Sequence, residues 1–287
     1  RPLKISAVAN SRSHAIAAAI LYSVIIFAAL ARPYPDMAMS SLNDDQLLRY
    51  SRHILLPQFD IQGQERVSRA RVLIAGVGGL GSPVALYLAA AGVGHLVLAD
   101  SDRVDVTNLQ RQIVYTSADV GQVKVHAAAA HLRQLNPDIS ITPLAARLEG
   151  DALQQQVALA DVVVDASDNF PTRFALNAAC VRHAKPLVSG AAIRMEAQIS
   201  VFTRDPPGSP CYRCLYKDEP GPADACSQSG VLGPLVGIIG SMQALEVLKI
   251  LSGIGASLGG RLLLLDAQLM EWRTLRLRRD PDCPVCG

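Results

Sequence analysis

Arg71-Val-Leu-Ile-Ala-Gly-Val-Gly-Gly-Leu-Gly-Ser82 is the stretch from which the fold is read. Val72 to Ile74 is a run of β-formers that meets glycines at positions 76, 78, 79 and 81. Pro83-Val-Ala-Leu-Tyr-Leu-Ala-Ala-Ala91 then carries apolar residues at helical spacing. Strand, tight glycine turn and helix form the context that makes a glycine motif a nucleotide site. Gly78 and Gly79 let backbone N–H groups approach a phosphate, and the helix N-terminus adds a favourable partial charge. Nineteen residues past Gly81, His95-Leu-Val-Leu-Ala-Asp100 reads as a second strand ending in a carboxylate placed for a ribose hydroxyl. No Gly-x-x-x-x-Gly-Lys-Ser/Thr is present, so the turn is not a P-loop. Nicotinamide, flavin and adenylate sites all begin this way, and a ligand-free βαβ unit is the bland alternative.

Working outward, Ser41-Leu-Asn-Asp-Asp-Gln46 offers an N-cap for a helix through His53, and Gln64 to Ala70 a second short helix. Asp100 to Gln112 is polar and aperiodic, a loop running over the pocket. Helices are predicted at Gly121 to Leu135 and Asp151 to Ala160, with a strand at Ile139 to Ala146. Asp161 to Asn169 reads as a buried strand whose end presents Asp165, Asp168 and an amide that caps the next helix. Strands follow at Pro186 to Gly190 and Ala197 to Thr203, then a Gly/Pro-rich mobile loop at Asp218 to Gly230. Val231 to Leu251 approaches membrane-spanning length, but its glycines, Pro234 and Glu246 read as a core helix. Arg261 to Asp266 and Trp272 to Leu277 are closing strands. The alternation predicts an α/β, doubly wound Rossmann-like sheet, parallel in its first half with antiparallel strands in the second.

The 287 residues carry 27 Lys/Arg and 25 Asp/Glu, a balance that gives no electrostatic case for nucleic acid. Residues 1–36 stand apart, with four basic side chains against Asp36 and an apolar run from Ala15 to Ala31. At 17 residues that run is short for a spanning helix. An upstream translated extension, a membrane anchor and an export signal compete as readings, and Met37 and Met39 stand just before the first helix. The domain is therefore drawn as 41–287 with 1–36 outside the fold. A cytoplasmic location fits a nucleotide enzyme with reduced thiols.

Six cysteines are present, four of them in the knuckles Cys211-Tyr-Arg-Cys214 and Cys283-Pro-Val-Cys286. Two Cys-x-x-Cys pairs suit tetrahedral zinc, and a closed four-thiolate site is structural because it has no open position. The 68 intervening residues mean that folding must bring the pairs together. A redox dithiol is the competing reading of either pair alone. Cys180 reads as a core thiol, and Cys226, in the predicted loop, as an exposed one. His14, His53, His95, His126, His131 and His183 show no ligand spacing.

The polar set around the glycine turn is Asp100, Asn108, Arg111, Lys124 and Asp168, with no Ser-His-Asp or Cys-His arrangement. A carboxylate substrate is already ionised at neutral pH and needs no general base. Its obstacle is repulsion from a polyanionic phosphate, which Arg111, Lys124 and a Mg²⁺ on Asp168 relieve. Taken singly, Arg111 and Lys124 read equally well as solvated charges. A nicotinamide oxidoreductase leaves both without work, and a nucleotide-binding scaffold releases no pyrophosphate.

Gly76-Val-Gly-Gly-Leu-Gly-Ser82, Asp100-x-Asp102 through Asn108-Leu-Gln-Arg-Gln112, Asp168-Asn169 and the paired knuckles resemble the MoeB/ThiF/HesA family. The resemblance covers residues 41–287, and Ser189 to Glu196 with Cys211 to Leu215 look closest to its MoeB branch, the molybdopterin-synthase adenylyltransferases. It implies ATP-dependent adenylation of the C-terminal glycine of a ubiquitin-like sulfur carrier, of MoaD type or, alternatively, ThiS type. It further implies Gly78 and Gly79 at the phosphates, Asp100 at the ribose, and Asn108, Arg111 and Lys124 at the triphosphate. Asp168 would hold Mg²⁺, and Arg52 would reach into the partner subunit's site of a homodimer. Cys226 matches a loop cysteine that some members use for a covalent carrier link. No rhodanese-like segment follows the second knuckle here, which implies a separate sulfur donor protein.

Overall fold

The chain is described by a computed structural model that covers residues 41–204, 208–217 and 230–287. The expectations for residues 1–36, for nearly all of the 218–230 loop and for Cys226 lie outside the described residues. Three short helices, α1 (Asp44–Arg49), α2 (Ser51–Ile54) and α3 (Asp60–Arg69), lead into β1 (Arg71–Ala75). Within the expected Ser41–Gln46 stretch, Asn43 caps α1 through a reciprocal capping box with Gln46. The order continues with α4 (Gly81–Ala90), β2 (His95–Ala99), α5 (Lys124–Leu135), β3 (Ser140–Leu144), α6 (Gly150–Leu159), β4 (Val162–Asp165) and α7 (Phe170–Arg182). It closes with β5 (Leu187–Ile193), β6 (Glu196–Phe202), α8 (Tyr212–Leu215), α9 (Gly233–Ser252), β7 (Arg261–Asp266) and β8 (Glu271–Arg276).

The eight strands form one sheet in the order β3-β2-β1-β4-β5-β6-β7-β8. β1 pairs in parallel with β2 and β4, and β3 and β5 extend the parallel half. From β5 onward every pairing is antiparallel. Strand order reverses beside β1, so the carboxyl ends of β1 and β4 open a crevice. The period-two alternation of β residues divides the core between the two faces. Val72, Ile74, Leu96, Leu98, Val162 and Val164 pack with Val84, Leu88 and Val125 of α4 and α5. Leu73, Val97, Val163 and Leu187 pack with Leu153, Val157 and Leu176 of α6 and α7 on the other face. Each fully buried Leu or Ile contributes about 1.5–3 kcal/mol through area removed from water.

α9 is long and apolar enough to cross a membrane by composition. It lies against α3, α4 and strands β4, β5 and β6. Glu246, buried on it, is paired with Lys249 and accepts the Leu258 N–H at 2.8 Å. α9 ends in a left-handed Gly253.

Several boundaries move for local reasons. α5 begins at Lys124, because Gly121 has φ +88° and the preceding residues form a turn. α3 begins four residues before the predicted Gln64, at Asp60, itself at φ +52°. β5 runs on to Ile193 and joins β6 through the two-residue turn Arg194-Met195, with Arg194 at φ +55°. A two-residue turn with positive φ at its first residue alone is usually announced by Gly there, where this sequence has Arg194.

Candidate nucleotide site and cysteine cluster

A cavity of about 430 Å³ opens at the carboxyl ends of β1 and β4. Two glycines of the turn are demanded by the chain itself. Gly76 has φ +90°, and a Cβ there would stand 2.7 Å from the Ala166 carbonyl oxygen. A Cβ at Gly81 would stand 2.0 Å from the Gly76 carbonyl oxygen. Gly78 differs: its φ is ordinary and a Cβ would meet nothing nearer than Gln112 Nε2 at 3.7 Å. Protein packing does not require glycine at 78, and the missing side chain leaves the backbone there open to close approach from the cavity.

Asp100 lines this cavity and also fastens the turn. Its Oδ2 accepts the Val77 N–H at 2.8 Å, and its Oδ1 accepts the Asp102 N–H at 2.9 Å. Tyr115 donates its hydroxyl to the Val77 carbonyl at 2.8 Å, so the turn is held from both sides. Burial pushes the Tyr115 phenol upward, and it stays neutral. Lys124 is drawn to the wall by Asp102: its N–H donates to the Asp102 carbonyl at 2.9 Å and its ammonium to Asp102 Oδ2 at 2.8 Å. Arg111 lines the cavity with Nη1 on the Thr107 carbonyl at 3.0 Å.

The remaining expected residues divide. Asn108 does not line the cavity; its Oδ1 accepts the Asp105 N–H at 3.1 Å and caps the 3₁₀ turn Val106–Asn108. Arg52 is exposed on α2 and is likewise absent from this chain's cavity wall. Asp168 is exposed in the cavity, and Asn169 caps α7 by accepting the Thr172 N–H at 3.0 Å. The expectation that the end of β4 presents two acids needs correcting. Strand alternation turns Asp165 into the core, fully buried, where it accepts the hydroxyls of Ser167 at 2.6 Å and Ser189 at 2.8 Å.

The lining also includes Arg147 and Arg173, which the sequence did not single out, and Gln112, read there only as part of the loop. Arg173 is buried and donates to the Ser167 carbonyl at 2.8 Å, which steadies the turn carrying Asp168. Its position four residues after the capping Asn169, on the same helix face, is the signal that could have marked it. The wall thus sets Arg111, Lys124, Arg147 and Arg173 against Asp100, Asp102 and Asp168. With Asp100 bonded to N–H groups and Asp102 to Lys124, the cavity favours an anion beside the N-terminus of α4.

The two knuckles converge as predicted. The sulfurs of Cys211, Cys214, Cys283 and Cys286 all lie within 4.8 Å of one another. Three of the separations are 3.5, 3.7 and 4.0 Å. A tetrahedral zinc with bonds of about 2.3 Å requires sulfurs about 3.8 Å apart, so the donor set fits that ion. Asn177 donates Nδ2–H to Cys211 Sγ at 3.6 Å, and the Asp280 N–H reaches Cys214 Sγ at 3.4 Å, the outer bonds a thiolate ligand calls for. Burial raises the pKa of Cys211. At Cys283 desolvation also acts upward, but the N–H groups of Cys286 and Val285 outweigh it and bring the thiol down to about 7. Cys180 is buried and apart from this cluster, with its thiol pushed up by desolvation.

A doubly wound sheet with a ligand-ready glycine turn, an anion-favouring cavity and a thiol cluster gathering the C-terminus defines a nucleotide-binding α/β domain. Residues 50–285 match the ThiF family, and the chain belongs to it. It is similar to the sulfur carrier protein ThiS adenylyltransferase of Escherichia coli (strain K12), with 49% identity over 247 residues, 86% of this chain and 97% of that protein. It is similar also to the molybdopterin-synthase adenylyltransferase of the same strain, 48% identical over 249 residues, 87% of this chain and 100% of that one. Among solved structures, Escherichia coli MccB with MccA-N7isoASN superposes with a TM-score of 0.70 at 25% identity, covering 83% of this chain and 75% of that one.

Proposed function

We propose that this chain is an adenylyltransferase that activates the C-terminal glycine of a ubiquitin-like sulfur-carrier protein with ATP, with a MoaD-type carrier as its substrate. The observation that carries the reading is the meeting, in one cavity, of an open glycine turn with Arg111, Lys124 and Asp168. The similarity to two adenylyltransferases supports it.

The chemistry follows from the wall. The carrier's terminal carboxylate arrives ionised, so no side chain has to remove a proton. One carboxylate oxygen attacks the α-phosphorus, the bond from that phosphorus to the bridging oxygen breaks, and pyrophosphate leaves with the electron pair. The products are a carrier acyl-adenylate and pyrophosphate. Arg111 and Lys124 offset the charge that gathers on the phosphates, and the amides of Gly78 and Gly79 hold them in place. Asp100 takes the ribose. Asp168 is the carboxylate suited to hold Mg²⁺, an ion that takes one or two carboxylates plus phosphate oxygens and supplies further charge neutralisation. Zinc on the four thiolates ties the C-terminus to the domain.

Arg52, exposed and away from its own cavity, serves the partner subunit's site in a homodimer. Cys226 is spared in the adenylation step, and the acyl-adenylate then accepts sulfur from a sulfur donor protein. A four-thiolate metal site accords with a cytoplasmic place of action, where thiols are kept reduced.

A ThiS-type carrier is the second reading, favoured by similarity to the ThiS adenylyltransferase at least as high as that to the molybdopterin-synthase enzyme. Carrier-dependent ATP–pyrophosphate exchange with MoaD-type and ThiS-type carriers in parallel tests both. Exchange with the MoaD-type carrier is expected, lost by about 10²–10³-fold in Asp168→Ala and Arg111→Ala at unchanged melting temperature. Cofactor reduction without ATP turnover would instead make the chain an oxidoreductase.

A further inference from the structure

Gln112 ends the Asn108-Leu-Gln-Arg-Gln112 run and has no work in the reaction above. The residue is 4% exposed, yet it lines the cavity. Its main chain is occupied, the N–H donating to the Asn108 carbonyl at 2.9 Å and the carbonyl accepting the Tyr115 N–H at 3.1 Å. Its amide is not: among the described residues, the buried Oε1 has no hydrogen-bond partner. Buried polar atoms are nearly always satisfied, so an orphan at a cavity wall marks a place for a ligand atom. Nε2 lies 3.7 Å from where a Cβ on Gly78 would stand, so the amide and the open glycine share one space.

The chemistry of a primary amide identifies what fills that space. It offers one acceptor oxygen and two donor hydrogens. Phosphate and carboxylate oxygens only accept, so they satisfy the nitrogen and leave the oxygen empty. Adenine pairs with an amide on both sides, but the glycine turn takes the phosphates and places the base further along the crevice. A peptide unit supplies N–H and C=O together, and one necessarily accompanies a C-terminal carboxylate into the cavity. We infer that the Gln112 amide grips the last peptide unit of the incoming polypeptide and sets the angle at which its carboxylate meets the α-phosphate. The inference rests on the adenylation reading. It gives Gln112 a part in orientation, where small misplacements are costly.

The test is carrier-dependent pyrophosphate exchange with a MoaD-type carrier on the full chain, alongside ATP affinity and melting temperature. Gln112→Met keeps the length and removes both hydrogen-bonding atoms, and Gln112→Asn withdraws the amide by one methylene. Both are expected to raise the carrier KM about tenfold while the ATP Kd stays within about twofold. Gln112→Met is expected to melt at or above the wild-type temperature, because an unsatisfied buried amide is lost. A lower melting temperature with unchanged carrier KM would make Gln112 structural and overturn the inference. A rise in ATP Kd matching that in carrier KM would assign the amide to the nucleotide and overturn it as well. Exchange by the wild type with carrier KM unaltered in both variants would sink this inference alone. No exchange by the wild type with MoaD-type or ThiS-type carriers would sink the adenylation reading and this inference with it.

Discussion

The ammonium of Lys124, with its side chain 7% exposed, lies 2.8 Å from the carboxylate of Asp102, whose side chain is 65% exposed. The two are continuous with the glycine turn, since Asp100 joins the Val77 N–H to the Asp102 N–H. An ammonium has three donors, so Asp102 can orient it while two remain for a phosphate. Asp102→Asn should therefore reduce pyrophosphate exchange about tenfold, and the same change in a Lys124→Gln background should add almost nothing. A double-mutant cycle on exchange rates measures this; additive losses would mean that Asp102 acts independently of Lys124.

Gly78 and Gly81 should respond oppositely to alanine. At Gly78 the added methyl has room within the protein, so Gly78→Ala should keep its melting temperature and lose nucleotide affinity. At Gly81 the methyl collides with the Gly76 carbonyl, so Gly81→Ala should unfold more readily before binding is measured. Thermal melts and nucleotide titrations of the two variants decide the matter.

Metal removal should act on stability and not on the reacting groups. Cross-linking two knuckles with 68 residues between them lowers the entropy of the unfolded chain by an amount worth on the order of 4 kcal/mol at 25 °C. Replacing Cys283 and Cys286 by serine should lower bound zinc and melting temperature together. Stoichiometric zinc in that variant, by atomic absorption, would refute the four-thiolate site.

Asp119 gives the account a pH dependence. Its carboxylate accepts the Thr116 N–H at 2.7 Å, the Thr116 hydroxyl at 2.9 Å and His131 Nε2 at 2.8 Å, fixing the turn before Lys124. Desolvation acts upward, but these bonds outweigh it and hold the carboxyl below its ordinary range. A depressed folded pKa contributes stability that is complete above the unfolded value, about 3.9, and is lost as pH falls through the folded value. Asp119→Asn should cost about 1–3 kcal/mol at neutral pH, a difference that vanishes in acid. Denaturant melts from pH 7 down to pH 3 would reveal it.

Much of this was legible in the sequence where the signal is local. Val72 to Ile74 before the glycines fixed the strand and turn, and two Cys-x-x-Cys spacings announced a cluster that only folding completes. What escaped depends on orientation. Asp165 and Asp168 look alike in sequence, yet the first is the buried last residue of β4 and the second lies exposed on the turn that follows it. Asn108 sits in the motif that lines the cavity but spends its side chain on Asp105. The orphaned amide of Gln112 and the burial of Arg173 follow from how loop and helix meet, which no spacing encodes. The turn at Arg194-Met195 lacks the residues that usually announce a hairpin.

A crystal structure of the full chain with a non-hydrolysable ATP analogue tests the central claim most directly. The account predicts phosphates within hydrogen-bond reach of the Gly78 and Gly79 N–H groups, with Arg111 and Lys124 turned toward them and Asp100 on the ribose. Nucleotide bound away from that turn, or no nucleotide at saturating concentration, would contradict it.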